Sequence, residues 1–93
     1  MSSGNFDFTR HAFKRSVERN ISDSEIKEAG NNLKIIETYP DDKYSPSCLL
    51  SGFTQSNRPL HIQISLVDTH IIKIITIYEP EKDGWTDNYS KRR

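Results

Sequence analysis

The chain has 93 residues, of which 33% are hydrophobic and 28% charged, with 13 basic side chains balancing 13 acidic ones. That length gives one domain around one modest core and excludes a second catalytic domain. Zero formal net charge excludes a protein held on nucleic acid by bulk charge alone, and a single cysteine, Cys48, excludes an internal disulfide and a cysteine-rich zinc site.

Residues 1–5 are polar and read as a flexible lead into a single ordered domain over about 6–92. No apolar signal region follows a basic start. The longest apolar stretch, Ile71 to Tyr78, is interrupted by Lys73 and is too short to span a bilayer. With a lone thiol, these features give the expectation of a cytoplasmic protein without membrane association. Cys48 sits in the run Cys48-Leu49-Leu50 and reads as a small buried strand residue rather than a nucleophile.

Phe6 to Arg19 reads as a lead-in and a first helix. Thr9 is placed as N-cap, and Ala12, Phe13, Ser16 and Val17 share the expected core-facing side. Asn20 suits the left-handed conformation that ends such a helix. A second helix opens with the capping box Ser22-Asp23-Ser24-Glu25, turns Ile26 and Ala29 inward, and stops at Gly30-Asn31-Asn32.

The period then changes to that of strands. Leu33–Tyr39, Ser47–Thr54, Arg58–Val67 and His70–Tyr78 are the four expected strands, with turns at Pro40-Asp41-Asp42, Asn57-Arg58-Pro59 and Asp68-Thr69. The predicted class is α+β, two N-terminal helices packed on a mostly antiparallel four-stranded sheet. Centring the last hairpin on Asp68-Thr69 pairs Leu66 with Ile71, Ile64 with Lys73, Ile62 with Ile75 and Leu60 with Ile77. These form an apolar face for the helices. The opposite face carries His61, Gln63 and Ser65 against Thr76, Ile74 and Ile72, with Tyr78 next along. The tail around Trp85 and Tyr89 is the expected cover for its isoleucines.

His61, Thr76 and Tyr78 thus fall on one face of adjacent strands. An imidazole, a hydroxyl and a phenol can move protons and donate to a phosphate. With an arginine, such a set suits RNA cleavage by the neighbouring 2′-hydroxyl, which needs a base, an acid and a cation. For the triplet alone, a half-exposed face of mixed polar residues is the commoner explanation. His11, Arg15 and Arg19 recur at i, i+4 and i+8 and line one edge of the first helix, either as a phosphate-gripping stripe or as a solvated, ion-paired edge. Trp85, Lys91 and Arg92 form a tail that can stack on a base and contact phosphates, or pin itself to the sheet. His11, His61 and His70 show no ligand spacing, and no glycine-rich phosphate loop is present. No metal and no cofactor are therefore expected.

The order of the motifs resembles a known bacterial family. Phe8-Thr9-Arg10-His11-Ala12, Arg15, Arg19-Asn20-Ile21-Ser22, Tyr39-Pro40-Asp41-Asp42, Arg58-Pro59-Leu60-His61 and Ile75-Thr76-Ile77-Tyr78-Glu79-Pro80 are similar to segments of domain of unknown function four-two-five-eight. The resemblance runs from about Phe8 to Arg92. Ser16 and Asn20 depart from it, where a long apolar residue and a glycine are usual. That family is grouped with RelE-like toxins and the wider barnase-like ribonucleases, and its members are often encoded beside a small zinc-finger antitoxin. The resemblance implies a RelE-like fold and RNA cleavage on an open sheet face, blocked by an antitoxin. Carried over by position, its motif residues are His11, Arg15, Arg19, His61, Thr76 and Tyr78.

The resulting expectation is a toxin of a type II toxin–antitoxin pair, a metal-independent endoribonuclease. His61, His11, Arg15 and Tyr78 are its candidate catalytic residues. Arg19, Thr76, Trp85, Lys91 and Arg92 are its candidate RNA contacts. Its expected partners are RNA, on or off the ribosome, an antitoxin and a second copy of the chain. The alternative is a non-catalytic protein-binding module with a toxin-like fold.

Overall fold

The computed structural model describes residues 6–43, 45–67 and 72–92. Two helices lie on one face of a five-stranded sheet. In chain order the elements are β1 (Phe6–Phe8), α1 (Arg10–Glu18), α2 (Asp23–Gly30), β2 (Lys34–Tyr39), β3 (Ser47–Phe53), β4 (Pro59–Ser65) and β5 (Ile72–Tyr78). A short 3₁₀ turn, Lys82–Gly84, leads into a small hairpin of β6 (Trp85–Thr86) and β7 (Lys91–Arg92). The α+β class, with two N-terminal helices and four antiparallel strands, is therefore as read from the sequence. The strand order is β1-β5-β4-β3-β2, and the added β1 runs parallel to β5. Among the described residues no helix is long and apolar enough to cross a membrane.

Both helices start where their caps require. The Thr9 hydroxyl accepts from the Ala12 amide at 3.1 Å. The Ser22 hydroxyl accepts from the Glu25 amide at 3.1 Å, and the Glu25 carboxylate accepts from the Ser22 amide at 3.0 Å. Each satisfies an amide that has no partner inside its helix. Asn20 takes φ 53 between them, as its short polar side chain allows.

The face that α1 presents differs from expectation. Ala12 and Ser16 are buried, but Phe13 and Val17 are 59% and 60% exposed. Small residues let the helix backbone approach the sheet closely, so the close-packed side is the Ala12–Ser16 side. Ser16 meets its polar need locally by donating to the Phe13 carbonyl at 2.8 Å. The core is Ala12, Ile21, Ile26 and Ala29 of the helical layer against Leu60, Ile62, Ile74 and Ile77 of the sheet. Each large aliphatic here contributes about 1.5–3 kcal/mol of burial. At Gly52, a Cβ atom would lie 2.6 Å from the Ala29 carbonyl oxygen, so glycine is what lets α2 pack onto β3.

The β4–β5 register also differs from expectation. His61 faces Tyr78, Ile62 faces Ile77 and Gln63 faces Thr76, whereas Ile64 faces Ile74. One extra residue on β5 makes a bulge, which reverses the sides that its first half presents. Ile74 enters the helix-side core, and Lys73 and Ile75 leave it to line a groove with Ser65 and Val67. Leu66 is 48% exposed. The Asp68-Thr69 turn, His70 and the Leu66–Ile71 pairing lie outside the described residues.

Candidate functional site

The outer face of the sheet, away from the helices, carries Glu37 and Tyr39 of β2, Ser47, Leu49 and Ser51 of β3, His61 and Gln63 of β4, and Thr76 and Tyr78 of β5. The tail folds over one end of it. His61 has no exposed surface. Its Nε2 lies 2.7 Å from the Tyr89 carbonyl oxygen and its Nδ1 3.2 Å from the Tyr78 hydroxyl. A carbonyl can only accept, so Nε2 carries the proton and donates. The lone pair of Nδ1 then accepts from the phenol. Burial lowers the His61 pKa, an effect that the Tyr89 carbonyl partly opposes, and burial raises the Tyr78 phenol. Both groups are neutral near pH 7.

Trp85 and His61 make a T-shaped ring pair, centroids 4.3 Å apart, and Trp85 is 7% exposed. The Arg92 guanidinium lies 4.7 Å from the centre of the Trp85 ring. Arg92 also grips Glu37 with two bonds, Nε to Oε2 at 2.6 Å and a terminal nitrogen to Oε1 at 3.0 Å. The Tyr39 hydroxyl donates to the same carboxylate. Arg92 holds the Glu37 carboxyl below the usual range, and Glu37 raises the guanidinium in turn. Of the two readings of the tail, the structure displays the pinned one. Trp85 is an anchor whose ring is already covered.

Two cavities of about 670 Å³ flank Tyr78 and Arg92. One is lined by Arg19, Arg58, Tyr78, Glu79, Trp85 and Arg92 among others. The other is lined by Tyr39, Asp42, Leu49, Gln63, Tyr78 and Arg92 among others. Arg19 comes from the residue that caps α1 and donates to the Ile77 carbonyl at 2.7 Å. It thereby covers the edge of β5 beyond the end of β1. Among the described residues Arg19 makes no ion pair.

Sequence reasoning passed over Arg58, which is a hub. Its guanidinium donates to Glu79 at 2.6 Å, to both Glu25 oxygens at 3.0 and 2.9 Å, and to the carbonyls of Asn20 and Arg19 at 2.9 and 3.0 Å. It sews the α1–α2 turn to the sheet. A proline directly after an arginine at a strand start was the available signal, and it carries no hint of those partners.

The remaining candidates are scattered. His11 is exposed and lines the separate groove with Thr9, Lys73 and Ile75. Arg15 pairs with Glu18 at 3.1 Å and lines neither cavity beside Tyr78. Thr76 is half-buried opposite Gln63. Lys91 is exposed and pairs with Asp87 at 3.5 Å. His61, Tyr78, Trp85 and Arg92 are thus brought together, with Arg19 across the cleft, while His11 and Arg15 stand apart. Cys48 is buried and its thiol is raised by that burial. Among the described residues no three His, Cys, Asp or Glu side chains converge.

A family model described as Domain of unknown function (DUF4258) matches residues 8–79. Among curated proteins and among solved structures, nothing matches the chain.

Proposed function

From the premise that the chain belongs to the Domain of unknown function (DUF4258) family, we propose that it is a RelE-like endoribonuclease needing no metal, the toxin of a type II toxin–antitoxin pair acting in the cytoplasm. The observation that supports this most is the Tyr78 phenol, bonded at 3.2 Å to a buried imidazole and lining a cleft with Arg19 and Arg92. The substrate is single-stranded RNA and the blocking partner a small antitoxin. Engagement on the ribosome removes the difficulty of a neutral protein, because the ribosome supplies the grip that bulk charge does not.

In this reading Tyr78 meets the substrate and His61 acts through it. The substrate 2′-hydroxyl gives its proton to the Tyr78 oxygen as the phenol proton passes to His61 Nδ1. The freed 2′-oxygen attacks the adjacent phosphorus. The proton then returns by the same route to the departing 5′-oxygen, leaving a 2′,3′-cyclic phosphate and a 5′-hydroxyl. Arg19 and Arg92 stabilise the charge that gathers on the phosphate oxygens. His11 and Arg15 take no part. Trp85 holds the tail rather than stacking on a base.

The buried position of His61 makes His61→Ala a poor test, since it leaves a cavity and two unpaired polar groups. Tyr78→Phe is cleaner. Cleavage of cellular RNA and growth arrest on induction should fall by about 100-fold or more. The melting temperature should drop by no more than about 8 °C, the loss of one hydrogen bond in a domain of this size. Undiminished cleavage by Tyr78→Phe would sink the proposal.

One observation favours a second reading, the protein-binding module. Both His61 nitrogens are already bonded inside the fold, which is how a structural histidine looks. On that reading wild type and Tyr78→Phe both leave RNA intact.

A further inference from the structure

We infer that the cavity between Tyr39 and Tyr78 is a nucleobase subsite, selecting a base with an exocyclic amino group from single-stranded RNA. The inference rests on the ribonuclease reading and adds what that reading lacks, the choice of base.

The cavity crosses four strands. Tyr39 of β2 and Tyr78 of β5 stand at its two ends, three strands and four residues of register apart, about 20 Å at backbone level. Leu49 of β3 and Gln63 of β4 face each other between them and make its floor. Its volume of about 670 Å³ falls in the range of small-molecule sites. An apolar floor residue next to an aromatic side chain suits a flat ring.

The polar groups converge and are mostly acceptors. Asp41 and Asp42 line it, and the Asp42 carboxylate faces Ser47 and Gln63. Ser47 donates to Asp42 at 3.0 Å, and the Gln63 amide nitrogen donates to Ser47 at 3.0 Å. These bonds fix the Gln63 side chain with its nitrogen turned to Ser47. Its carbonyl oxygen receives no hydrogen bond among the described residues and is left as an acceptor. Tyr39 and Arg92 are both committed to Glu37, so they shape the wall without supplying free donors at that point. A base whose edge is rich in acceptors, such as uracil, meets acceptor against acceptor here. Adenine, cytosine and guanine each bring an amino group, which a carboxylate or amide oxygen accepts.

The placement next to the arginine cleft gives the site its meaning. Tyr78 and Arg92 line both cavities. A nucleotide with its base over Leu49 and Gln63 therefore directs its phosphate toward Tyr78, Arg92 and Arg19.

The test uses four trinucleotides with 2′-O-methyl sugars, so that none is cleaved, carrying U, A, C or G between two uridines. Binding to the full chain is followed by shifts in nitrogen-15 amide spectra. The expected result is that the three amino-bearing strands bind at least about fivefold tighter than the all-uridine strand. Their shifts should centre on Tyr39, Leu49 and Gln63, and Asp42→Asn should reduce the three to the uridine level. Asp41→Asn, at an exposed position, carries the same readout should Asp42→Asn fail to fold. Equal binding of all four strands, with cleavage intact, would remove the base subsite and leave the ribonuclease reading standing. Selective binding without any cleavage of natural RNA would keep the subsite and remove the catalytic reading. Adenosine monophosphate binding tighter than the adenine trinucleotide would overturn RNA as the source of the base.

Discussion

His61 is the residue where chemistry and stability meet. Burial holds its pKa below the ordinary value of 6.5, because a charged imidazole loses its hydration there. The unfolded chain therefore binds a proton that the folded one refuses in acid. This contribution to stability is complete above pH 6.5 and is lost as pH falls through the lower folded value. The melting temperature should fall between pH 7.5 and pH 5, with a slope from this residue of at most about 1.4 kcal/mol per pH unit. His61→Gln should flatten that part of the profile, and an unchanged profile would mean the imidazole is not buried as described. The polar sheet face was legible in the sequence because alternation alone puts His61, Gln63, Thr76 and Tyr78 together. What alternation cannot give is depth. The same pattern serves a wet face or one roofed by a tail, and here the roof is held by contacts 28 and 55 positions apart along the chain.

At the scale of elements, caps and strands were legible and faces were not. Thr9, Asn20 and Ser22 act within three or four residues of themselves, so local sequence settles them. The side that α1 buries depends on how closely β5 approaches, and hydrophobicity alone favours Phe13 and Val17 over Ala12 and Ser16. The bulge at Ile75 was likewise hidden, because Ile74 and Ile75 are interchangeable to a period-of-two argument. Arg58 is the element-scale contact with the largest consequence. Glu79 first and then Glu25 raise its pKa, and its five donor contacts join a helix turn, a helix cap and the end of β5. Arg58→Lys keeps the charge but cannot reproduce a planar fork across these acceptors. It should cost about 2–4 kcal/mol in denaturant unfolding. A loss below about 0.5 kcal/mol would show the hub to be ornamental.

Across the whole molecule, stability is graded outward from β3 and β4. Both strands are paired on two sides, and helices cover one of their faces. The β6–β7 hairpin has two residues in each strand and rests on side chains. Amide exchange should therefore be slowest at Leu50 and Ile62 and fastest in 85–92, with the tail opening well below the global unfolding free energy. Equal protection of the tail and the central strands would contradict this order. The short parallel strand β1 was invisible in the sequence, since three residues, Phe6–Phe8, carry too little pattern to be told from a lead-in.

The tail turn has a consequence of its own. Asp87, Asn88 and Tyr89 take φ values of 51, 56 and 66 in succession, a left-handed stretch without glycine. Such backbone persists because its surroundings hold it, at roughly 1 kcal/mol or more per residue. The loop is thus a coiled spring under two clasps, Arg92 on Glu37 and the Tyr89 carbonyl on His61. Cutting the first clasp with Arg92→Ala removes an ion pair and a cation–ring contact together worth about 1–1.5 kcal/mol. The spring then recoils more often. His61 should react roughly five- to tenfold faster with an imidazole-modifying reagent, while exposed His11 reacts at the same rate in both proteins and serves as the clock.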